Sequence, residues 1–269
     1  MEILDFIIVT ICGFGIGVLS GMFGIGGGGM IVPLLHMAFG LPMLAAASTS
    51  LLTIAPTGIS GSIKHIRQKT VSLKAALVIG GFGAIASVCS SLVSGSLPEA
   101  AVVLITVTVI LFSVGMMVRT ILKDKKNSGE ELDQQGSQAQ TTSEKNKDTT
   151  FVLPMIIGLI AGGIAGIVGV GGGFIIVPFC VAYLGFSLKK AAGTSLGAIA
   201  IIAIPGIISH ALLGHIWWLH GLAIIIGTVP GALIGAWLIA RLPERPMRLA
   251  FAVLLAIIGV MMLVQEFFL

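Results

Sequence analysis

The sequence predicts an all-α polytopic membrane protein: two inverted repeats of about five helical segments each, with helices broken by Gly and Pro. Three observations carry this prediction. The chain is 56% hydrophobic and 10% charged, with a mean hydropathy of +1.10 over 269 residues, outside the range of water-soluble domains. Its second part repeats its first at a constant offset. The string GIGGGGMIVP at 24 to 33 returns as GVGGGFIIVP at 169 to 178, which places helix-averse residues at matching points of two apolar runs.

The apolar runs are long enough to cross a hydrocarbon layer of ~30 Å at about 20 residues each. Helices are the expected element, because backbone groups in lipid must be satisfied within the segment and barrel-type alternation is absent. The N-terminal MEILDFIIVTICGF carries Glu2 and Asp5 where a secretory signal carries Lys or Arg, so it reads as a retained first span.

The polar stretch 123–150, KDKKNSGEELDQQGSQAQTTSEKNKDTT, reads as a disordered or loosely structured linker. It separates a first membrane repeat, 1–122, from a second, 151–269. The halves align at an offset of 145, since 178 minus 33 is 145. Gly17, Gly21, Gly24, Gly26, Gly27, Gly28, Pro33, Gly40, Thr49, Ser50, Gly61, His65, Pro98 and Glu99 fall on Gly162, Gly166, Gly169, Gly171, Gly172, Gly173, Pro178, Gly185, Thr194, Ser195, Gly206, His210, Pro243 and Glu244. Internal duplication explains this economically. The expected segments are 3–22, 29–41, 43–63, 72–95 and 98–122, then 152–168, 174–186, 190–213, 217–240 and 244–267.

Lys64, Arg67, Lys69 and Lys74 cluster between the third and fourth segments of the first half, and the next loop, SGSLPE, has no Lys or Arg. The positive cluster faces the cytoplasm. In the second half the bias reverses: Lys189 and Lys190 precede the third segment, Arg241, Arg245 and Arg248 follow the fourth, and the loop with His215, Trp217, Trp218 and His220 has no Lys or Arg. The expected arrangement puts both termini outside and the linker in the cytoplasm. An odd number of segments per half makes the repeats inverted. Matching segments broken by Gly and Pro in such repeats point to a binding site at the repeat interface.

A Gly cluster within the membrane frees backbone N–H groups, tolerated there when buried in protein or lining a wet cavity. The short segment after each cluster begins as a helix, so its first-turn N–H groups and positive dipole end suit an anion. Gly26, Gly27 and Gly28 with Gly171, Gly172 and Gly173 are therefore candidate site residues. Small-residue helix packing is the competing use, and Gly17 with Gly21 and Gly162 with Gly166 have the spacing of four that it needs. Thr49, Ser50, Thr194 and Ser195 occupy equivalent places in the third segments. Their hydroxyls can donate to an oxyanion, or bond a preceding carbonyl or a neighbouring helix. His65 and His210, at the ends of those segments, read either as interfacial residues or as gating or proton-linked groups. His36 has Val181 as its counterpart and suits a helix-packing hydrogen bond or a relay.

Several function classes lose support. All eleven Asp and Glu fall in the linker or near span ends, which argues against carboxylate sites for metal ions, Na⁺ or protons within the membrane. Cys12, Cys89 and Cys180 lie in apolar runs without ligand spacing, so no metal or cofactor is expected. Gly24, Gly26 and Gly29 match a dinucleotide fingerprint but lack its strand–helix context and acidic residue. A pI near 9.1 reflects cytoplasmic loops rather than nucleic acid. No paired acids or positioned nucleophile and base appear, so the chain does not read as an enzyme.

GIGGGGMIVPLL with AAASTSL, and GVGGGFIIVPF with AAGTSLGAI, resemble the paired signatures of the sulfite exporter TauE/SafE-like permeases, over essentially the whole chain outside the linker. The resemblance implies a plasma-membrane permease for small anions such as sulfite, sulfoacetate or related sulfonates, working as an exporter. It also implies a site formed by Gly26 to Gly28, Pro33, Thr49, Ser50, Gly171 to Gly173, Pro178, Thr194 and Ser195. Phe174 in place of Gly29, and Gly193 in place of Ser48, make the halves unequal. Alternating access by rocking of the two halves is the expected mechanism. A passive anion channel and a membrane-anchor or sensor subunit are the alternatives. The partners expected are a small organosulfur or sulfur-oxyanion substrate and the lipid bilayer; a homo-oligomer is compatible with the sequence.

Overall fold

The computed structural model describes residues 3–94, 99–130, 149–168 and 171–268. Gly169, Pro98 with most of the SGSLPE loop, and residues 131–148 of the linker lie outside them. The described residues form α1 (Ile3–Phe23), α2 (Gly28–Pro33, continued by a π-helical turn Leu34–Ala38), α3 (Met43–Arg67), α4 (Leu73–Ser94), α5 (Glu99–Glu130), α6 (Thr149–Val168), α7 (Gly173–Tyr183), α8 (Leu188–Leu212), α9 (Trp218–Arg241) and α10 (Glu244–Phe268). No strand occurs among them. These are the five expected segments of each half, except that α5 continues through Glu130 into the polar stretch.

The segment from Gly28 to Ala38 widens from α to π after Pro33. Proline lacks an N–H and its ring crowds the carbonyl four residues back, here that of Gly29, so the ladder must relax locally. Gly40 and Gly185 close the two short helices in the same way: Leu41 N donates to Leu35 O at 3.2 Å and Phe186 N to Cys180 O at 3.1 Å, the six-residue closure of a Schellman cap.

Many large apolar side chains point outward, while glycines line the closest helix contacts. Ile11 is 66% exposed and Ile85 62%, a surface that water would penalise and lipid does not. Four helices, Ile3–Phe23, Leu73–Ser91, Leu188–Leu212 and Trp218–Arg241, have the length and apolarity to cross a membrane. The chain is a multi-pass membrane protein.

Association in lipid rests on close packing rather than on expelling water, and glycines set the approach. Along α1, a Cβ on Gly13 would meet Ile224, one on Gly17 would meet Thr228, and one on Gly21 would meet Ala232, in each case at backbone atoms. From α9, Gly227, Gly231 and Gly235 press on the α1 backbone at Thr10, Phe14 and Val18. The second copy repeats this residue for residue: Gly158, Gly162 and Gly166 of α6 face Ile79, Gly83 and Ser87 of α4. Rising numbers on both members make each pair parallel.

α9 also packs along α3, with Gly221 beside Leu52 and Gly61 beside Ala232, and α4 along α8, with Gly80 beside Ile201 and Gly83 beside Ile202. The molecule therefore contains two parallel three-helix units, α1–α3–α9 and α6–α8–α4, each drawing helices from both sequence halves. Helix α3 crosses α8 antiparallel: Leu51 lies against Gly206, Gly58 against Leu196 and Ala200, His65 against Gly193. The remaining helices pack as α5 with α10, α5 with α7 and α10 with α2. The tightest backbone contacts join one sequence half to the other.

Candidate functional site

After α1 the chain leaves helical geometry for four residues. Gly24 N still donates to Ser20 O at 2.8 Å, and then Gly26 and Gly27 take φ of 81° and 79°, the left-handed region that only glycine enters without strain. Gly27 is the N-cap of α2, with no side chain capping it. Its carbonyl accepts from Met30 N and Ile31 N, both at 3.0 Å. The N–H groups of Gly28 and Gly29 precede the first intrahelical acceptor, so they face out of the helix end. The second copy has the same construction: Gly171 and Gly172 at φ of 85° and 65°, and Gly172 O accepting from Ile175 N at 3.0 Å and Ile176 N at 3.1 Å. There the outward-facing N–H groups are those of Gly173 and Phe174.

These two helix starts meet inside the protein. Gly26 faces Ile199 and Ile54, and Gly171 faces the same two side chains. Ile54 and Ile199 are repeat equivalents beside the α3–α8 crossing. Gly173 lies against the other break, where an added Cβ would stand 2.7 Å from Gly24 O. The structure thus brings together Gly26, Gly27, Gly28, Gly171, Gly172 and Gly173, all buried, with two positive dipole ends sharing one apolar floor. Pro33 and Pro178 are buried within the helices that follow.

The hydroxyl residues divide. Thr49 Oγ1 accepts from Trp217 N at 3.1 Å, and its counterpart Thr194 Oγ1 accepts from Ser72 N at 3.0 Å. Each threonine thereby holds the first turn of a neighbouring helix, α9 or α4, whose leading N–H groups need an acceptor. Ser195 donates to Gly24 O at 2.8 Å and steadies the first break. Ser50 is fully buried and its Oγ has no partner.

The histidines do not sit at wet interfaces as a pair. His65 is fully buried; its Nε2 donates to Gly21 O at 3.1 Å, and Nδ1 lies 2.8 Å from Thr70 Oγ1. The equivalent His210 is half-buried, with Nδ1 3.0 Å from Ser48 Oγ. Ser48 donates to Leu44 O at 2.6 Å, so His210 Nδ1 supplies the proton between them. Gly193 stands where Ser48 does in the other copy, and a Cβ there would come 2.8 Å from the His65 Cβ. The Ser48/Gly193 difference therefore decides which histidine can sink into the protein. His36 donates from Nδ1 to Leu41 O at 2.7 Å, a bond that closes its own helix.

Two features escape the sequence. Thr57 and Thr228 are fully buried and share a hydrogen bond at 2.8 Å between α3 and α9. Ser20 is 1% exposed, has no partner for its Oγ, and packs beside the Gly27 cap. Repetition is the signal that guides the eye here, and these residues align with Ile202, Gly83 and Ala165, so it passes them over. Among the described residues, the buried polar side chains are all Ser, Thr and His, and no group of three or more His, Cys, Asp or Glu is placed to hold a metal ion.

The profile of the family described as sulfite exporter TauE/SafE matches residues 9–262, a stretch that includes both glycine breaks and the crossing between them. The chain belongs to the sulfite exporter TauE/SafE family. Two similar proteins from Bacillus subtilis strain 168 carry the description probable membrane transporter protein: YdhB, 27% identical over 93% of this chain and 97% of its own length, and YunE, 27% identical over 98% and 100%. A third with that description, from Methanocaldococcus jannaschii, is 25% identical over 95% of this chain and 94% of its own. No solved structure matches this chain. As a TauE/SafE family member the protein is a membrane transporter. Its family and its helix pattern agree on that much, and at each glycine break a helix begins whose first two N–H groups have no intrahelical acceptor.

Proposed function

We propose that the protein is a plasma-membrane permease for small anions, exporting sulfite or an organosulfonate of the sulfoacetate type by alternating access. The observation that carries this reading is the meeting of two glycine-broken helix starts over Ile54 and Ile199. Four outward-facing N–H groups and two dipole ends give an oxyanion neutral donors from both repeats. With no buried Lys or Arg among the described residues, the anion is held loosely enough to turn over.

The antiparallel crossing of α3 and α8, set beside the parallel pairs α1–α9 and α6–α4, supports inverted repeats. The pseudo-two-fold axis relating two antiparallel equivalents runs across them, in the plane of the membrane. The same directions gather Lys64, Arg67, Arg241, Lys189 and Lys190 at one end of the bundle, where Lys189 Nζ donates to Ala240 O at 3.0 Å. A basic end favours the cytoplasmic side, which supports a cytoplasmic linker and termini outside. The bodies that rock are the two three-helix units, pivoting at the α3–α8 crossing, because breaking either backbone-to-backbone zipper would forfeit the contacts that hold helices together in lipid.

Uptake of radiolabelled sulfite into proteoliposomes, competed by sulfate, sulfoacetate and taurine, tests the reading. The parent is expected to show saturable flux that Gly27→Val and Gly172→Val abolish while still inserting. Flux that never saturates, or that survives both substitutions, would overturn it.

A further inference from the structure

We infer that Ser20 is an anion ligand, and that the first glycine break rather than the second is the seat of a single –SO₃⁻ group. The inference rests on the anion-permease reading and adds to it a residue and an asymmetry that neither the repeat nor the family match points to.

A serine inside a membrane helix ordinarily satisfies its hydroxyl on the carbonyl one turn back. Thr10, in the same helix, does so with Phe6 O at 2.8 Å. Ser20 does not: its Oγ has no partner although only 1% of the residue is exposed. Such a group costs stability where it lies, and it persists where something else uses it. Its Cβ lies 3.8 Å from where a Cβ on Gly27 would stand, so the hydroxyl belongs to the neighbourhood of the α2 cap. The helical stretch that begins at this cap runs from Gly28 to Ala38. Three donors are then grouped at one helix start: Gly28 N–H, Gly29 N–H and Ser20 O–H, one for each oxygen of a sulfonate or hydrogensulfite head.

The second break lacks this set. Ser20 aligns with Ala165, which has no hydroxyl, and a Cβ on Gly172 would meet Ala161. Phe174 stands there in place of Gly29 and is 2% exposed, a buried ring at a position where the first copy has no side chain. The two ends of the site are therefore unequal, with the fuller set of donors at the first break.

The experiment measures sulfite uptake and thermal stability on the full chain, purified and reconstituted, for the parent, Ser20→Ala and Ser20→Gly. Ser20→Ala is expected to raise the half-saturating sulfite concentration about tenfold or more, as loss of a hydrogen bond to a charged group does, with the maximal rate kept within about twofold. Its Tm should equal or exceed that of the parent, because an unpartnered buried hydroxyl has been removed. An unchanged half-saturating concentration, or a change confined to the maximal rate, overturns the role of Ser20 and leaves the permease reading standing. A fall in Tm for both variants overturns it as well, since it assigns the hydroxyl to structure. Absence of saturable flux in the parent overturns the permease reading, and this inference with it.

Discussion

The Ser195 hydroxyl donates to the Gly24 carbonyl at 2.8 Å, tying the third helix of one repeat to the broken backbone of the other. The equivalent hydroxyl, on Ser50, is just as buried and bonds to nothing in the protein. Two residues that duplication made alike thus have different duties, and their alanine variants should separate them. Ser195→Ala leaves a buried carbonyl unpaired and should destabilise by about 1–3 kcal/mol, whereas Ser50→Ala should cost nothing in stability. If Ser50 serves the anion, its variant should instead weaken sulfite uptake. Thermal denaturation in detergent beside flux in liposomes reads both, and equal Tm losses would contradict the assignment.

Gly162 offers a sharper test of packing. A Cβ there would run into the Gly83 backbone, and no side chain can swing away to relieve it. Gly162→Ala should therefore separate α6 from α4 and cost several kcal/mol, by analogy with overpacked cores, where about 1–3 kcal/mol is usual and backbone clashes exceed it. Gly15 and Gly163 have open space around them, and alanine at either should be neutral or stabilising by about 0.5–1 kcal/mol. The yield of monodisperse protein distinguishes the two groups.

The interlocked units make a prediction about motion. With Cys12, Cys89 and Cys180 replaced, a disulfide between cysteines at Thr57 and Thr228 links helices of one unit, α3 and α9, and should leave sulfite flux within about twofold of the reduced protein. A short bifunctional thiol reagent joining cysteines at Ser48 and His210 links α3 to α8 across the crossing and should stop it. Loss of flux with both links, each of which joins one sequence half to the other, would instead point to the sequence halves as the moving bodies.

Gly193→Ser would give the second copy the residue of the first. Its Cβ would press on His65, displacing the ring and breaking the bond to Gly21 O. A lower Tm should follow, by about 1–3 kcal/mol for the buried polar atoms left unpaired. Ser48→Gly should be milder, because His210 is half-buried and can turn to water. Parallel denaturation curves decide it.

Much of this molecule is legible along the chain because its physics is one-dimensional. A helix in lipid satisfies its own backbone, so hydropathy alone marked nine of ten segments to within a few residues. Only α5, running on to Glu130, departs from its expected end, since polar residues such as Glu and Lys extend a helix as readily as they form a linker. The helix starts at Gly28 and Gly173 were legible too, because a run of glycines is a local instruction. The roles of Thr49 and Thr194 were not: a hydroxyl reads the same whether it awaits an anion or caps Trp217 or Ser72, and those partners lie more than a hundred residues away.

The sequence by itself determined the solvent, the ten segments, the duplication and the two breaks, for each follows from composition, local propensity or a repeat that needs no third dimension. Only the tertiary structure decided which helices share a unit, that the two breaks face one another over Ile54 and Ile199, and which buried hydroxyls remain unspent. Those outcomes depend on backbone approach between distant segments. Gly17 reaching Thr228 and Gly162 reaching Gly83 are set by packing at van der Waals distance, and no spacing along the chain encodes it.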